Sequence, residues 1–253
     1  MKEFQLFNGD CLELMKNIQD KSIDMILCDL PYGKTACEWD SVISFEKLWE
    51  QYNRIAKDNA AIVLFACEPF GSALRMSNIK NYKYDWIWDK KKGTGFLNAK
   101  KQPMRNHELI CVFYKKQCIY NPQKTTGHKL KKSFKPKTVQ TDVYGEMKSD
   151  CIYESSERYP RSILVFSTDT QKCALHPTQK PVALLEYLIK TYSNKGDVVL
   201  DNCMGSGSTG VACVNTHRRF VGMELNETYF NIAKERIEHA KVQLERNEEK
   251  DEE

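Results

Sequence analysis

The sequence has no apolar run of about 18 residues, the length that a membrane-spanning helix needs. Its first ten residues, MKEFQLFNGD, are polar and partly acidic, unlike the basic and then apolar start of a secretory signal peptide. We therefore expect a cytoplasmic protein that makes no contact with a membrane.

Closely spaced cysteine pairs are missing as well. The ten cysteines stand singly, and no C-x-x-C pair occurs. A structural zinc site needs such ligand spacing, so the sequence predicts no metal site. Several of the cysteines lie in apolar runs, which indicates reduced thiols in the core of the protein.

Positive charge is concentrated in one quarter of the chain. The net charge of the 253 residues is +4, but residues 81–140 contain 15 Lys and Arg against three acids, which makes this segment +12 and the remainder −8. Clustered Lys and Arg are well suited to neutralising phosphates. We interpret the segment as a surface that binds a polyanion; an ordinary solvated basic surface is the alternative.

Apolar runs that resemble strands alternate with helical patterns along most of the chain, which is typical of βαβ units and a largely parallel sheet. The pattern fades over residues 115–170, where Lys, Thr, Ser, Pro and Tyr dominate, and this favours an insertion with little core of its own. A helical pattern of apolar residues begins again at Pro181, which suits the first turn of a helix. The predicted strands are residues 4–7, 24–28, 61–65, 84–88, 109–114, 198–200 and 220–223.

A glycine-rich turn joins the strand at 198–200 to the next helix. Gly205, Gly207 and Gly210 fit the pattern G-x-G-x-x-G, and Glu224 lies at the end of the following strand, where its carboxylate can accept hydrogen bonds from a ribose. NAD, FAD, S-adenosylmethionine and a plain tight turn are all compatible with this pattern. Only 29 residues follow Glu224, too few for the second half of a dinucleotide site. Asp201 before the glycines suits a cationic amino group better than a pyrophosphate.

The buried strand at 24–28 ends in Asp29-Leu30-Pro31-Tyr32. The carboxyl end of a central parallel strand is where α/β proteins place ligands. Pro31 restricts Leu30 to extended geometry, so the Leu30 carbonyl and the Asp29 carboxylate form two adjacent acceptors beside the flat ring of Tyr32. The exocyclic amine of a nucleobase, with two N–H donors and an aromatic ring, suits this arrangement. An Asx-Pro turn without function is the alternative.

Three motifs together resemble a known family. Residues 29–32 resemble the D-P-P-Y motif of amino-methylating DNA methyltransferases, and residues 201–209 resemble their D-P-F-x-G-S-G-T-T cofactor motif. Residues 176–181 resemble the H-P-T-x-K-P element of the β subgroup, in which the catalytic motif comes first and the cofactor motif late. Residues 95–108 and 158–167 are similar to segments of phage-type adenine methylases. Leu30, Asn202 and Cys203 depart from the family pattern.

The resemblance implies an α/β, methyltransferase-type Rossmann-like fold with circularly permuted motif order. Its sheet would have seven strands, mostly parallel with one antiparallel strand, and would carry a basic insertion. It implies a catalytic half at 1–115, a target-recognition insertion at 116–170, a cofactor-binding half at 171–245 and an acidic tail at 246–253. The implied cofactor is S-adenosylmethionine and the implied partner is double-stranded DNA; relatives of this subgroup often form homodimers.

The family also implies roles for individual residues. The target base would rotate out of the duplex, with Asp29, Leu30, Pro31 and Tyr32 forming the catalytic motif. The cofactor would contact Asp10, Thr178, Lys180, Asp201, Cys203, Gly205, Ser206, Gly207 and Glu224. The DNA would contact Lys91, Lys92, Lys100, Lys101, Arg105, Lys131, Lys132 and Arg161.

Some of these roles have structural alternatives. Asp10 can instead cap the helix that follows it, and Thr178 and Lys180 can reach the methionine carboxylate or merely cap the next helix. His176 is expected to be structural.

We expect methylation of adenine N6, because of Asp29 and the phage-type segments. The first alternative is methylation of cytosine N4, since both amines need the same two acceptors. A catalytically silent DNA-binding module is a remote alternative, which loss of cofactor binding would reveal. Methylation of a glutamine in protein is disfavoured because that subgroup has N-P-P-Y and does not need the basic segment.

Overall fold

The computed structural model describes residues 3–33, 42–134, 138–141, 145–148, 152–168 and 179–251. Thr178 and His176 of the H-P-T-Q-K-P element lie outside these ranges. The chain divides into a larger unit, Met1–Asn121 with Ser162–Glu253, and a smaller unit, Pro122–Arg161. In the described part of the chain no helix is both long and apolar enough to cross a membrane.

The larger unit is built on one eight-stranded sheet with the order β1-β12-β11-β2-β3-β5-β4-β10. Only β5 among these strands runs against its neighbours, β3 and β4. The strands in chain order are β1 (Phe4–Asn8), β2 (Ile23–Cys28), β3 (Ala56–Ala66), β4 (Tyr82–Thr94), β5 (Arg105–Phe113), β6 (Lys131–Phe134), β7 (Thr138–Thr141), β8 (Gly145–Lys148), β9 (Ile152–Ser155), β10 (Ile163–Val165), β11 (Val198–Asp201) and β12 (Arg219–Glu224).

Helices cover both faces of the sheet. One core cluster joins the sheet to residues of α1, α2 and α3, and the other joins it to residues of α4, α5 and α6. Each of these helices turns an apolar stripe inward, as the 3.6-residue period requires. The helices are α1 (Cys11–Met15), α2 (Phe45–Ile55), α3 (Phe70–Ser77), α4 (Val182–Tyr192), α5 (Ser208–Asn215) and α6 (Glu227–Asp251).

The α/β class, the mostly parallel sheet and the single antiparallel strand are as predicted, and the seven predicted strands all belong to the sheet. The eighth strand, β10, was missed. It has three residues, of which only the middle one, Leu164, is buried. So short a run gives no periodic signal, and it pairs with β4, which is distant in the chain. The cofactor strand β11 comes late in the sequence yet lies beside β2 in the middle of the sheet, as the permuted motif order requires.

The smaller unit contains two antiparallel strand pairs, β6 with β9 and β7 with β8. An isolated bridge between Thr125 and Arg158 extends the first pair. The Arg158 guanidinium donates to the carbonyl oxygens of Lys129 and Ser155, which ties the two sides of this unit together. The unit lies within the 116–170 region that the sequence predicts as an insertion.

Candidate active site

Four acidic residues lie at one edge of the sheet. Strands β1, β12, β11 and β2 are adjacent and parallel, so their carboxyl ends share that edge. Glu224 ends β12 and Asp201 ends β11, while Asp10 and Asp29 follow β1 and β2. The glycine-rich loop and the Asp-Leu-Pro-Tyr loop therefore leave the sheet side by side, although about 170 positions separate them in the sequence.

Asp201 organises the glycine-rich loop. Its side chain is buried, and one carboxylate oxygen accepts a hydrogen bond from the Cys203 N–H at 3.1 Å while the other accepts from the Thr209 hydroxyl at 2.6 Å. Burial raises the pKa of Asp201 to about 6. The carboxylate thus fixes the path of the loop through the backbone of Cys203 and the side chain of Thr209.

Gly207 needs to be glycine on two counts. Its φ is 82°, in the left-handed region, where it begins helix α5. A Cβ atom at this position would lie 2.8 Å from the Cβ of Ala233, so the loop also packs closely against α6. The neighbouring Ser206 is buried, and its hydroxyl accepts a hydrogen bond from Arg236 at 2.9 Å. The glycines and Ser206 therefore position the loop through contacts with α6.

Glu224 is held by the backbone on both of its oxygens. Oε2 accepts from the Gly205 N–H at 2.9 Å and Oε1 accepts from the Asn226 N–H at 2.8 Å. Burial raises the pKa of Glu224, and these backbone hydrogen bonds oppose the rise. Each oxygen keeps a lone pair, so the fixed carboxylate can still accept from two hydroxyl groups of a ribose.

Asp10 caps helix α1. Its Oδ1 accepts from the Leu12 N–H at 2.8 Å and from the Glu13 N–H at 3.2 Å. This is the structural alternative that the sequence left open. The capping bonds occupy one carboxylate oxygen, so the structure leaves the other available for the predicted contact with the adenine of the cofactor.

The Asp29 carboxylate makes a hydrogen bond through each oxygen. Oδ1 accepts from the Tyr32 hydroxyl at 2.5 Å, and Oδ2 accepts from the Lys180 ammonium at 2.5 Å. The Tyr32 ring lies against Phe70, with the ring centroids 4.9 Å apart. The Leu30 side chain is buried in the core cluster that also contains Phe70. The motif is thus anchored on one side by the core and held on the other by Lys180.

Lys180 belongs to a chain of alternating charges. Its ammonium lies 3.4 Å from Oε2 of Glu108, whose other oxygen accepts from Lys90 at 3.1 Å. Both lysine side chains are only 9% exposed, so each needs a carboxylate as counter-charge. The ring of Phe65 covers the Lys180 ammonium at 5.1 Å from its centroid.

The pKa values follow from this chain of charges. Burial raises the pKa of Asp29, and Lys180 opposes the rise. Burial would also raise the pKa of Glu108, but Lys180 and Lys90 together lower it. Burial disfavours the charged form of Lys180, but Asp29 and Glu108 outweigh it and raise the pKa of Lys180 to about 12. Lys180 is therefore a permanent cation beside Asp29.

The two departures in the cofactor motif form a local network. The side-chain oxygen of Asn202, Oδ1, accepts from the buried hydroxyl of Tyr52 at 2.5 Å. The side-chain nitrogen, Nδ2, contacts the sulfurs of Cys203 and Cys11 at 3.5 and 3.6 Å. Hydrogen bonds to Cys11 and Cys28, with burial, raise the pKa of the Cys203 thiol well above its ordinary value. Cys203 therefore packs as a neutral thiol at the base of the loop.

The residues predicted to contact DNA are exposed. In the larger unit Lys91, Lys92, Lys100, Lys101 and Arg105 all lie in the β4–β5 hairpin. In the smaller unit Lys131, Lys132 and Arg161 are exposed, and Lys132 pairs with Glu154 at 2.8 Å. None of the residues that are predicted to contact DNA is buried in the core.

Glu108 and Lys90 were not predicted as residues of the site. In the sequence, Glu108 is one of the three acids of the basic segment and Lys90 is one of its 15 cations. The one available signal was that Glu108 is an acid within a cationic stretch that leads into a buried strand. Among the residues that the structure describes, no group of three His, Cys, Asp or Glu side chains is arranged to hold a metal ion.

The arrangement fits S-adenosylmethionine. Its adenosyl and methionine parts carry amino and hydroxyl donors, and the loop edge offers carboxylate acceptors from Asp10, Asp201 and Glu224 at the ends of β1, β11 and β12. The left-handed Gly207 and the close packing of the loop on α6 fix the course of the loop between these acceptors.

Comparison with known proteins identifies the family. Residues 23–235 match the N6_N4_Mtase family model, described as DNA methylase. The chain is 28% identical to the type II methyltransferase M.HpaI of Haemophilus parainfluenzae over 92% of its own length and 74% of the relative's. It is 28% identical to the type II methyltransferase M2.MboI of Moraxella bovis, over 93% of its own length and 88% of the relative's.

Solved structures have the same fold. The complex of M1.HpyAVI with SAM superposes with a TM-score of 0.63 at 26% identity, covering 92% of this chain and 98% of the other. The PvuII cytosine-N4-specific DNA methyltransferase superposes with a TM-score of 0.63 at 16% identity, covering 92% of this chain and 88% of the other, which bears on the fold alone. The chain therefore belongs to the N6/N4 DNA methylase family and is a DNA methyltransferase that uses S-adenosylmethionine.

Proposed function

We propose that this enzyme methylates the N6 amine of an adenine at a specific site in double-stranded DNA. The observation that carries the proposal is Asp29, a carboxylate fixed at the end of a central strand, beside the cofactor loop and next to the Leu30 carbonyl. An aspartate at this position and the phage-type segments at 95–108 and 158–167 support adenine as the target.

The amine needs activation because its lone pair is delocalised into the aromatic ring. When bound, S-adenosylmethionine supplies an electrophilic methyl group on a sulfonium. Asp29 Oδ1 and the Leu30 carbonyl accept the two amine hydrogens, which draws the nitrogen towards tetrahedral geometry and aims its lone pair at the methyl group. Holding the two reactants in this orientation supplies much of the rate. Lys180 keeps Asp29 Oδ2 occupied and favours the ionised carboxylate.

Tyr32 has two tasks in this scheme. Its ring, supported by Phe70, offers a flat surface on which the flipped base can stack. Its hydroxyl donates to Asp29 Oδ1. The arriving amine competes for that acceptor, so the hydrogen bond satisfies the carboxylate until the substrate replaces it.

The cofactor is assigned to the edge of the sheet at which β1, β11 and β12 end and the glycine-rich loop begins. Glu224 accepts from the ribose, Asp10 accepts from the adenine amine, and Asp201 with the backbone of Gly205 and Gly207 surrounds the methionine part. Ser206 and Cys203 complete the loop, and Thr178 is assigned to the methionine carboxylate. The sequence also assigns Lys180 to the cofactor. Its ammonium contacts Asp29, which supports assigning it to the positioning of that carboxylate.

DNA binding is assigned to the basic hairpin and to the smaller unit. Their exposed lysines neutralise phosphates, which gives affinity without sequence choice, and the side chains of Arg105 and Arg161 are candidates for reading base edges.

The second candidate is cytosine N4, because that amine needs the same two acceptors as adenine N6. The PvuII enzyme, cytosine-N4-specific by name, has the same fold, so the fold does not discriminate between the two bases.

The proposal is tested by incubating the enzyme with labelled S-adenosylmethionine and unmethylated DNA, followed by nucleoside analysis of the digest. We expect label in N6-methyldeoxyadenosine. Label in N4-methyldeoxycytidine would establish the second candidate. No transfer, with cofactor binding also absent, would indicate a silent DNA-binding module. Asp29→Asn serves as the matched inactive control.

A further inference from the structure

The β4–β5 hairpin extends past the edge of the sheet that carries the active site. Ala66 at the end of β3 pairs with Leu109, and β5 begins four residues earlier, at Arg105. At the spacing of extended chain these four residues span about 13 Å. Strand β10 accompanies the hairpin only as far as Asp89. The hairpin tip, residues 95–104, therefore projects from the carboxyl edge, on the same side as Asp29.

Two large apolar side chains lie at this tip without burial. Phe96 is 73% exposed and Leu97 is 84% exposed, the largest values among the large hydrophobic residues that the structure describes as exposed. Gly95, with φ of 88° in the left-handed region, turns the chain into the short 3-10 helix Phe96–Asn98 that carries both residues. The backbone geometry presents them together at the end of the projection.

The surroundings of these side chains are strongly basic. Residues 90–105 contain six Lys and Arg and neither Asp nor Glu. Of these, Lys90 is buried against Glu108, whereas Lys91, Lys92, Lys100, Lys101 and Arg105 are exposed on the hairpin. An apolar tip with cationic sides complements a partner that is anionic outside and apolar inside. The DNA duplex, with phosphates around a stack of bases, has this character.

The proposed reaction creates a place for such a tip. Rotating a base out of the duplex costs a few kcal/mol of stacking and pairing and leaves a gap in the base stack. Apolar side chains of several DNA-binding proteins enter between base steps, and in a gap that flipping has already opened such a side chain would contact the bases on either side. The hairpin projects on the side to which the flipped base must travel, since Asp29 and Tyr32 lie at the same edge of the sheet.

We propose that Phe96 and Leu97 form a wedge that enters the DNA base stack and fills the space left by the flipped base. The proposal rests on the proposed function, because only an enzyme that flips its target needs the gap filled. The exposed lysines of the hairpin hold the phosphates on either side while the wedge enters.

The test compares Phe96→Ala/Leu97→Ala with a matched double variant, Met76→Ala/Ile79→Ala. Met76 and Ile79 are also exposed apolar residues of the larger unit, at 70% and 57%. Met76 lies in the last turn of α3 and Ile79 just after it, before the start of β4 and thus at the opposite end of the hairpin from its tip. Because all four side chains are exposed, both variants should fold normally, which circular dichroism and thermal denaturation would check.

Two duplexes serve as substrates, both carrying the enzyme's own site as read from methylated plasmid DNA. One is fully paired, and in the other the base opposite the target is replaced by an abasic residue, which weakens the hold on the target base. On the paired duplex we expect the wedge variant to lose about tenfold in kcat/KM, and on the abasic duplex about threefold or less. The control variant should match the wild type on both.

Equal rates of the wedge variant and the wild type on the paired duplex would overturn the wedge, as would equal losses on both duplexes.

A third variant, Lys100→Ala/Lys101→Ala, should instead lower the salt dependence of DNA binding, by about 0.9 in the log–log slope for each phosphate that the variant no longer neutralises. Failure of the proposed function is distinguishable: the wild-type enzyme would then either methylate neither duplex or place the label in N4-methyldeoxycytidine, whereas failure of the wedge alone leaves wild-type transfer to adenine intact.

Discussion

The ammonium of Lys180 lies 2.5 Å from Oδ2 of Asp29, although 151 positions separate the two residues in the chain. Lys180 stands two residues before helix α4, and Asp29 follows strand β2. The contact joins the H-P-T-Q-K-P element to the catalytic motif, two segments that the sequence assigns to different halves of the enzyme. We therefore propose that Lys180 is a positioning residue for the reaction, acting through Asp29.

Removing the Lys180 charge should shift the pH dependence of the reaction. Asp29 must be ionised to accept the amine hydrogens, and burial already raises its pKa. Without Lys180 that pKa rises further. In Lys180→Met the acid limb, the fall of kcat on acidification, should therefore move to higher pH, and kcat should be lower than in the wild type at pH values below this limb. Lys180→Arg retains a cation and should keep the limb closer to its wild-type position.

The same variants separate positioning from cofactor binding. In Lys180→Met the affinity for S-adenosylmethionine, measured by calorimetry, should stay within about twofold of the wild type. Lys190→Met, a change on the partly exposed face of α4, is the control. An unshifted acid limb together with weakened cofactor binding would return Lys180 to the cofactor role that the sequence suggests.

Asp29→Asn should abolish methyl transfer while leaving cofactor binding measurable. The amide keeps the shape of the side chain but loses the charge, and it directs N–H donors where acceptors are needed. We expect a loss of at least about 10²–10³-fold in kcat, measured by transfer of labelled methyl to DNA. Asp58→Asn, at a surface ion pair, should behave as wild type. Full activity of Asp29→Asn would refute the assignment of the catalytic residue.

Glu224→Ala should weaken the binding of S-adenosylmethionine. The carboxylate is fixed by the Gly205 and Asn226 N–H groups, so its free lone pairs are in place for the ribose hydroxyls. Loss of hydrogen bonds to a charged acceptor costs about 1.5–3 kcal/mol, which predicts a cofactor Kd raised by about 10- to 150-fold. Glu227→Ala, at the start of α6, serves as the control. An unchanged Kd in Glu224→Ala would remove the ribose contact.

Tyr52→Phe should destabilise the fold. The Tyr52 hydroxyl donates to the Asn202 side chain in a fully buried hydrogen bond, and the variant leaves the Asn202 oxygen without this donor. We expect the free energy of unfolding in urea to fall by about 1–3 kcal/mol. Tyr120→Phe, which removes a hydroxyl from a partly exposed ring, should change it by less than about 0.5 kcal/mol. Equal effects of the two changes would mean that the buried bond contributes nothing.

The fold was largely predictable because its strands are long and buried. The run Ile23–Cys28 is apolar enough to lie between two helical layers, and the spacing of Phe230, Ala233 and Ile237 marks the inner face of α6. Strand β10 was not predictable, since three residues with one buried side chain carry no period. Helix α3 was also missed; it is short and follows directly from β3.

By itself the sequence determined the local units of the site. A strand followed by Asp-Leu-Pro-Tyr, and a strand followed by a glycine-rich turn, are signals read within about ten residues, because side-chain periodicity and turn chemistry act over that range. The order of these units along the chain then indicated the family. The concentration of Lys and Arg in one segment indicated a polyanionic partner.

Only the tertiary structure decided which charges meet. Asp29, Lys180 and the Lys90–Glu108 pair of the β4–β5 hairpin come from three separate segments, and nothing in the spacing of these segments brings them together. They meet because β2 ends, and the hairpin extends past β3, at the same edge of the sheet, and because buried charges must find counter-charges within a few ångströms. The hairpin also projects from this edge, so Phe96 and Leu97 lie on the same side of the sheet as Asp29. The sequence does not show this placement, because it depends on how the strands pair.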